Sequence, residues 1–365
     1  MSRLNGVQNL GGLFLVMSYL SLVGLWGGPA LARVGTGEAP ASRQPVQQMV
    51  QLTDGRSLWT SYLPAEPGQP TLVLLNGLTY STENWQSMVD WLLKLKPGVG
   101  LLRYDMRGMG QSVQEEGLIL QDISPYQQAE DLRELHQFFS IEGPVVHLGL
   151  SYGGAIALVF EALYPEITRD VVLVAPYLAP LDWQDNWIRD AMVRVRALNP
   201  FLPLDDRALY KMLLAGMVYF VYPQAENDFL ETPKHFWDYG AFQRNHLRLN
   251  GVWRMVNDMI DFQAIDLVPQ LKGQKYHLWA PQEDEYVSPE TFFQFWMTLP
   301  EAQRASFLHL HGVHHKAQQE IPKDFALQLI RVLDNDPELR QGRELHWPSE
   351  SHCQQLLQKP AATSF

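Results

Sequence analysis

The run Gly149-Leu150-Ser151-Tyr152-Gly153-Gly154 constrains this chain more than any other. It closes an apolar stretch, Val145 to Leu150, and opens a helical pattern at Tyr152, so the backbone must pass from strand to helix at Ser151. A turn that sharp strains the backbone of its central residue, and glycines at 149 and 153 remove side chains that would collide across it. The Ser151 hydroxyl then projects above a sheet edge with a helix N-terminus behind it, which is where a nucleophile is useful. G-x-S-x-G by itself also occurs in ordinary turns; the strand before it and the helix after it give it its meaning here.

The rest of the chain alternates in the same way. Apolar runs at Thr71 to Leu75, Val99 to Tyr104, Val145 to Leu150, Val171 to Ala175, Tyr276 to Ala280 and Ser306 to Leu310 lack polar alternation, as strands buried on both faces do. Helical patterns near Glu83 to Leu95, Pro125 to Phe139, Tyr152 to Tyr164, Pro289 to Thr298 and Pro322 to Leu333 separate them. Ahead of these, Gln48 to Leu52 and Ser57 to Leu63 flank Asp54-Gly55 and predict a hairpin. The expected class is α/β, with a mostly parallel sheet covered on both sides.

Two regions depart from that rhythm. Residues 178–270 carry helical patterns without a strand and hold 14 aromatic residues in 93 positions, the composition an inserted helical cap over an apolar pocket would need. The same rings would equally serve to pack the cap onto the sheet. Residues 335–365 are polar and aperiodic and are expected to form a loosely packed tail. The core is thus expected in two parts, 47–177 and 271–334, after a linker at 33–46.

Residues 1–32 have the pattern of an export signal: Arg3, an uncharged apolar run from Leu13 to Trp26, and an A-x-A site at Ala30-Leu31-Ala32. The run has 14 residues, short of the 18 or so that span a bilayer, so a secreted or periplasmic protein beginning at Arg33 is expected, with no membrane span after processing. A formal charge of -12 repels phosphate backbones and argues against nucleic-acid binding. The single Cys353 excludes an intramolecular disulfide and a cysteine zinc site.

Beyond the elbow, the chain resembles the α/β-hydrolase family. Asn76-Gly77-Leu78 stands after a strand where the family usually has His-Gly-x, Ser81-Thr82-Glu83-Asn84-Trp85 is similar to its loop into the first helix, and Asp105-Met106-Arg107-Gly108-Met109-Gly110-Gln111-Ser112 is similar to its D-x-R-G-x-G-x-S loop. Asn76 in place of histidine departs from the pattern but leaves the backbone donor of that loop in place. The resemblance implies an oxyanion hole formed by the backbone N–H groups of Leu78 and Tyr152. It also implies the chain order nucleophile, acid, histidine. Asp284 follows the strand Tyr276 to Ala280, where the family carries its acid; Asp182 is the alternative. Of the histidines in His309-Leu310-His311-Gly312-Val313-His314-His315, the first two belong to the strand or its edge, and the resemblance, through the family pattern G-x-x-H with proline seven residues later at Pro322, implies His315 rather than His314. A clustered metal site is the competing interpretation of those histidines, but it leaves the serine elbow unexplained.

A serine hydroxyl needs a base to take its proton and an anion to hold that base. The expected activity is therefore a serine hydrolase in which Ser151 attacks a carboxylic ester or related acyl compound, His315 moves the proton and Asp284 orients it. No cofactor and no metal are implied, and the acidic surface and aromatic cap suit a small, apolar acyl substrate. A peptidase or amidase on the same triad, or a non-catalytic binding protein of the same fold, are the alternatives.

Overall fold

In the computed structural model the described residues are 43–78, 80–112, 123–179, 187–221, 254, 256–284 and 286–348. The expected signal sequence, most of the linker, Asp182 and the end of the tail lie outside them, as does much of the cap.

Among the described residues nine strands form one sheet in the order β1-β2-β4-β3-β5-β6-β7-β8-β9. They are β1 (Val46–Gln51), β2 (Ser57–Leu63), β3 (Thr71–Leu75), β4 (Gly100–Tyr104), β5 (Val145–Leu150), β6 (Thr168–Val174), β7 (Lys275–Pro281), β8 (Arg304–Leu310) and β9 (Arg343–Trp347). The predicted hairpin makes the antiparallel pair β1–β2, with Gly55 at φ 85° in its turn, and β2 runs antiparallel to β4. From β4 to β9 every neighbouring pair is parallel.

The helices are α1 (Gln86–Leu95), α2 (Pro125–Phe138), α3 (Tyr152–Leu163), α4 (Trp187–Leu198), α5 (Asp206–Val221), α6 (Pro289–Thr298), the single turn α7 (Ala317–Glu320) and α8 (Pro322–Leu333). Strand alternation sorts the core into two layers. Leu72 and Leu74 of β3 join Val146, Leu148, Val172 and Val174 against Met88 and Leu92 of α1 and Phe325 and Leu329 of α8. Val73 and Leu75 face the other way, toward Leu132 of α2, Ile156 and Phe160 of α3 and Phe292 of α6. Helix starts agree with sequence chemistry: Ser124 and Ser288 accept hydrogen bonds from Gln127 N (3.3 Å) and Glu290 N (3.3 Å), each followed by proline in the first turn.

Within residues 178–270 the described parts include the helices α4 and α5. Leu209, Tyr210 and Leu213 of α5 bury themselves in the second layer beside Tyr177 and Leu178, which continue the chain beyond β6. One expectation is corrected. The tail beginning at Asn335 is not loosely packed throughout: Pro337–Arg340 makes a helical turn and Arg343–Trp347 adds β9 to the sheet. Five residues are too short for a legible periodicity, and their anchors lie elsewhere, in Leu339, which is buried, and in a buried Asp170 that receives Arg340.

Candidate active site

Ser151 sits between β5 and α3 at φ 51° and ψ -117°, a conformation that side-chain-bearing residues rarely adopt. Its N–H donates to Val174 O at 3.0 Å, and its carbonyl accepts from Gly154 N at 2.8 Å and Tyr177 N at 2.9 Å, so the turn is pinned to β6. The glycines are sterically obligatory. A Cβ on Gly149 would lie 2.4 Å from Gly153 O, one on Gly153 2.2 Å from Leu75 O, and one on Gly154 2.6 Å from Pro176 Cβ. The helix and the ends of β3 and β6 meet too closely for anything larger.

The loop after β3 lies against this elbow. A Cβ placed on Gly77 would be 3.5 Å from Ser151 Cβ, which puts the Gly77–Leu78 backbone beside the serine. Asn76, the departure from the family pattern, is buried and ties the loop from both ends: its Nδ2 donates to Tyr104 O at 2.8 Å, and its Oδ1 accepts from Trp85 Nε1 at 2.6 Å. The D-x-R-G loop supports the same region, since Asp105 accepts from Thr82 N (2.6 Å) and Gln111 N (2.7 Å). Arg107 pairs with buried Asp131 of α2 and, at 2.6 Å, with Asp54 of the hairpin turn.

Asp284 follows β7 and His315 follows β8, at the carboxyl ends of parallel strands, as Ser151 follows β5. The loops carrying them are stitched together by Gln282 N to Leu310 O (2.9 Å) and Glu283 N to Val313 O (3.1 Å). His315 Nδ1 donates to Asp284 Oδ2 at 2.7 Å, and Asp284 Oδ1 accepts from Tyr286 N (2.8 Å) and Val287 N (3.0 Å). The Asp284 side chain is fully buried and His315 is 8% exposed. A carboxylate so held fixes the imidazole tautomer and leaves Nε2 as the acceptor.

The other histidines of the 309–315 run have partners of their own. His314 turns outward to Glu320 (3.2 Å), His309 meets Glu344 (3.0 Å), and His311 meets His346 (2.9 Å). Among the described residues no group of three or more His, Cys, Asp or Glu is suited to hold a metal ion. No helix among them is long and apolar enough to cross a membrane.

Sequence reasoning did not single out Tyr286, whose ring packs edge-on with the His315 imidazole, centroids 4.8 Å apart at 88°. Nor did it find the contact of Lys316 over the Tyr80 ring, 5.9 Å to the centroid, which joins the histidine loop to the loop after β3. An aromatic two residues after a proposed acid was the available signal for Tyr286.

The model of the alpha/beta hydrolase family matches residues 72–328, and the chain belongs to that family. Its sheet and helices also match solved structures. A membrane phospholipase A described as a bacterial virulence factor aligns at TM-score 0.57 and 17% identity, over 90% of this chain and 94% of that one. A thermophilic esterase from Thermogutta terrifontis aligns at 0.53 and 19% identity over 80% and 98%. A serine hydrolase involved in carbazole degradation aligns at 0.54 and 20% over 80% and 99%. At these identities the likeness is one of fold. No curated protein matches the chain.

Proposed function

We propose that the protein is an exported serine hydrolase that cleaves a carboxylic ester, or a related acyl compound, through an acyl-enzyme intermediate. The observation that carries this is the pair His315–Asp284, 2.7 Å apart, on loops at the strand ends that also carry the Ser151 elbow. In the mechanism, His315 takes the Ser151 proton as the hydroxyl oxygen bonds to the substrate carbonyl carbon. Asp284 holds the imidazole and stabilises the cation that forms. The N–H groups of Leu78 and Tyr152 receive the oxyanion, each such donor being worth about 2.7–4 kcal/mol. The proton passes to the departing alcohol, the acyl group stays on Ser151, and water, deprotonated by His315, releases the acid.

Favouring an ester are the aromatic cap composition and the esterase and phospholipase among the structural matches. Export rests on Arg3, the apolar run from Leu13 to Trp26 and Ala30-Leu31-Ala32. Labelling by a fluorophosphonate, abolished in Ser151→Ala, tests the nucleophile; an unlabelled wild type would reject it in favour of a binding protein. p-Nitrophenyl esters of increasing chain length beside matching anilides test the bond cleaved, and faster anilide turnover would favour an amidase.

A further inference from the structure

The backbone that carries Leu78 leaves the sheet shortly before it reaches Ser151. Pairing of β3 with β4 ends at Leu74 opposite Arg103, and pairing with β5 ends at Leu75 opposite Gly149. Beyond Leu75 the ladders stop, so other contacts must fix the chain if the Leu78 amide is to keep its place.

Asn76 stands at that exit. It is 1% exposed, and each end of its amide makes one bond: Nδ2 donates to the carbonyl of Tyr104, the last residue of β4, at 2.8 Å, and Oδ1 accepts from Trp85 Nε1 at 2.6 Å. The first bond continues the β3–β4 pairing through a side chain where the backbone register ends. The second reaches the turn Thr82–Trp85 from which α1 departs, and Trp85 is itself fully buried.

The far end of the loop is anchored beside the same strand end. Ser81 N donates to Asn84 Oδ1 at 2.8 Å, and Thr82 N donates at 2.6 Å to Asp105 Oδ1, on the residue after Tyr104. Residues 77–80 therefore bridge two anchors that both rest at the end of β4, with Tyr80 N donating to Gly77 O at 3.1 Å between them. On its inner side Gly77 lies against the elbow, since a Cβ there would be 3.5 Å from Ser151 Cβ and 3.6 Å from Leu150 O. A shift at Asn76 would thus move Leu78 relative to Ser151.

We propose that Asn76 is a positioning residue for the oxyanion hole: its amide, clamped between Tyr104 O and Trp85 Nε1, holds the Leu78 N–H where the oxyanion forms, a role that exists only if Ser151 is the nucleophile proposed for it. An amide suits the task because it presents a donor and an acceptor together and does not titrate. Leucine, of similar shape, offers nothing to either partner.

Asn76→Leu in the full chain, assayed on one p-nitrophenyl ester and against a trifluoromethyl ketone carrying the same acyl group, tests this. The Ser151 oxygen bonds to the ketone carbon, the serine proton passes to His315 and the ketone oxygen becomes an oxyanion, so the affinity of the ketone reports the hole. Misplacing a catalytic group by about 1 Å costs on the order of 10²-fold, so kcat is expected to fall about 10²-fold with KM within about threefold. The inhibition constant of the ketone should rise by the factor by which kcat/KM falls. Trp85→Phe removes one of the two bonds and is expected to follow the same relation with a smaller loss of about tenfold, which keeps the test open should Asn76→Leu not fold. Folded variants that keep the wild-type kcat, or whose loss lies in KM with the ketone bound as before, would overturn the role of Asn76 and leave it a core amide. A wild type that neither hydrolyses esters nor reacts with a fluorophosphonate would instead overturn the serine hydrolase, and the role of Asn76 with it.

Discussion

His315 Nδ1 and Asp284 Oδ2 face each other across 2.7 Å, while His314, one residue earlier, turns its ring to Glu320 and is largely exposed. Neighbouring loop residues point in different directions, so only one imidazole can serve the site. His315→Ala is expected to lose roughly 10³-fold or more in kcat, as far as Ser151→Ala, because residues acting as one unit are not additive. His314→Ala should stay within a few-fold of the wild type. Steady-state rates of the three variants on one ester check this; an inactive His314→Ala beside an active His315→Ala would move the base by one residue.

Ser151 occupies a conformation suited to glycine, at φ 51° and ψ -117°. Strain of this kind costs on the order of 1–3 kcal/mol. Glycine relieves it and is also a better helix N-cap than alanine. Ser151→Gly and Ser151→Ala should both be inactive, with the glycine variant more stable by about 1 kcal/mol in urea denaturation. Gly153→Ala should go the other way and fail to accumulate folded, since its Cβ would lie 2.2 Å from the Leu75 carbonyl oxygen. Equal stability of the two Ser151 variants would show that the turn is relaxed.

Much of the sheet was legible because its chemistry is local. Thr71 to Leu75 and Val145 to Leu150 are apolar on both faces, and only a doubly covered strand buries such runs, so their limits agree with β3 and β5 residue for residue. Asp284 was reached by its place after a strand and His315 by the family pattern G-x-x-H with its following proline, and the structure brings them together. β9 was not legible: Arg343-Glu344-Leu345-His346-Trp347 has little apolar content, and it exists because the exposed edge of β8 offers a backbone ladder. The use of Asn76 was hidden as well. A buried amide bridging Tyr104 O and Trp85 Nε1 joins residues on two other segments, which no local pattern encodes.

Tyr286 touches both partners of the pair, since its N–H donates to Asp284 Oδ1 at 2.8 Å and its ring packs on His315. It is a positioning residue in this reading, and the ring rather than the hydroxyl should matter. Tyr286→Phe should retain near-normal kcat, whereas Tyr286→Ala should lose about tenfold in kcat with KM little changed, because a mobile imidazole spends less time in reach of the serine. Equal kcat in the two variants would remove the ring from the mechanism.

Beneath the sheet, His147 of β5 contacts Glu161 of α3 at 2.9 Å and His136 of α2 at 3.0 Å, and all three are buried. Burial pushes His147 down to about 3 and holds His136 well below the usual imidazole value, so both are neutral at neutral pH. Burial pushes Glu161 well above the usual carboxylate value. Their signs oppose. Lowered imidazoles bind fewer protons folded than unfolded, so their contribution is lost as pH falls below the unfolded value of about 6.5. The raised carboxyl binds more protons when folded, so its contribution is fully present below the unfolded value of about 4.3 and is lost as pH rises through the folded one. Between pH 7 and pH 5 Glu161 therefore offsets the histidines. Glu161→Gln removes the offset, and the variant should lose stability on acidification more steeply than the wild type. Urea midpoints at pH 7, 6 and 5 check this. A constant difference between the two proteins across that range would mean that Glu161 carries the same charge folded and unfolded.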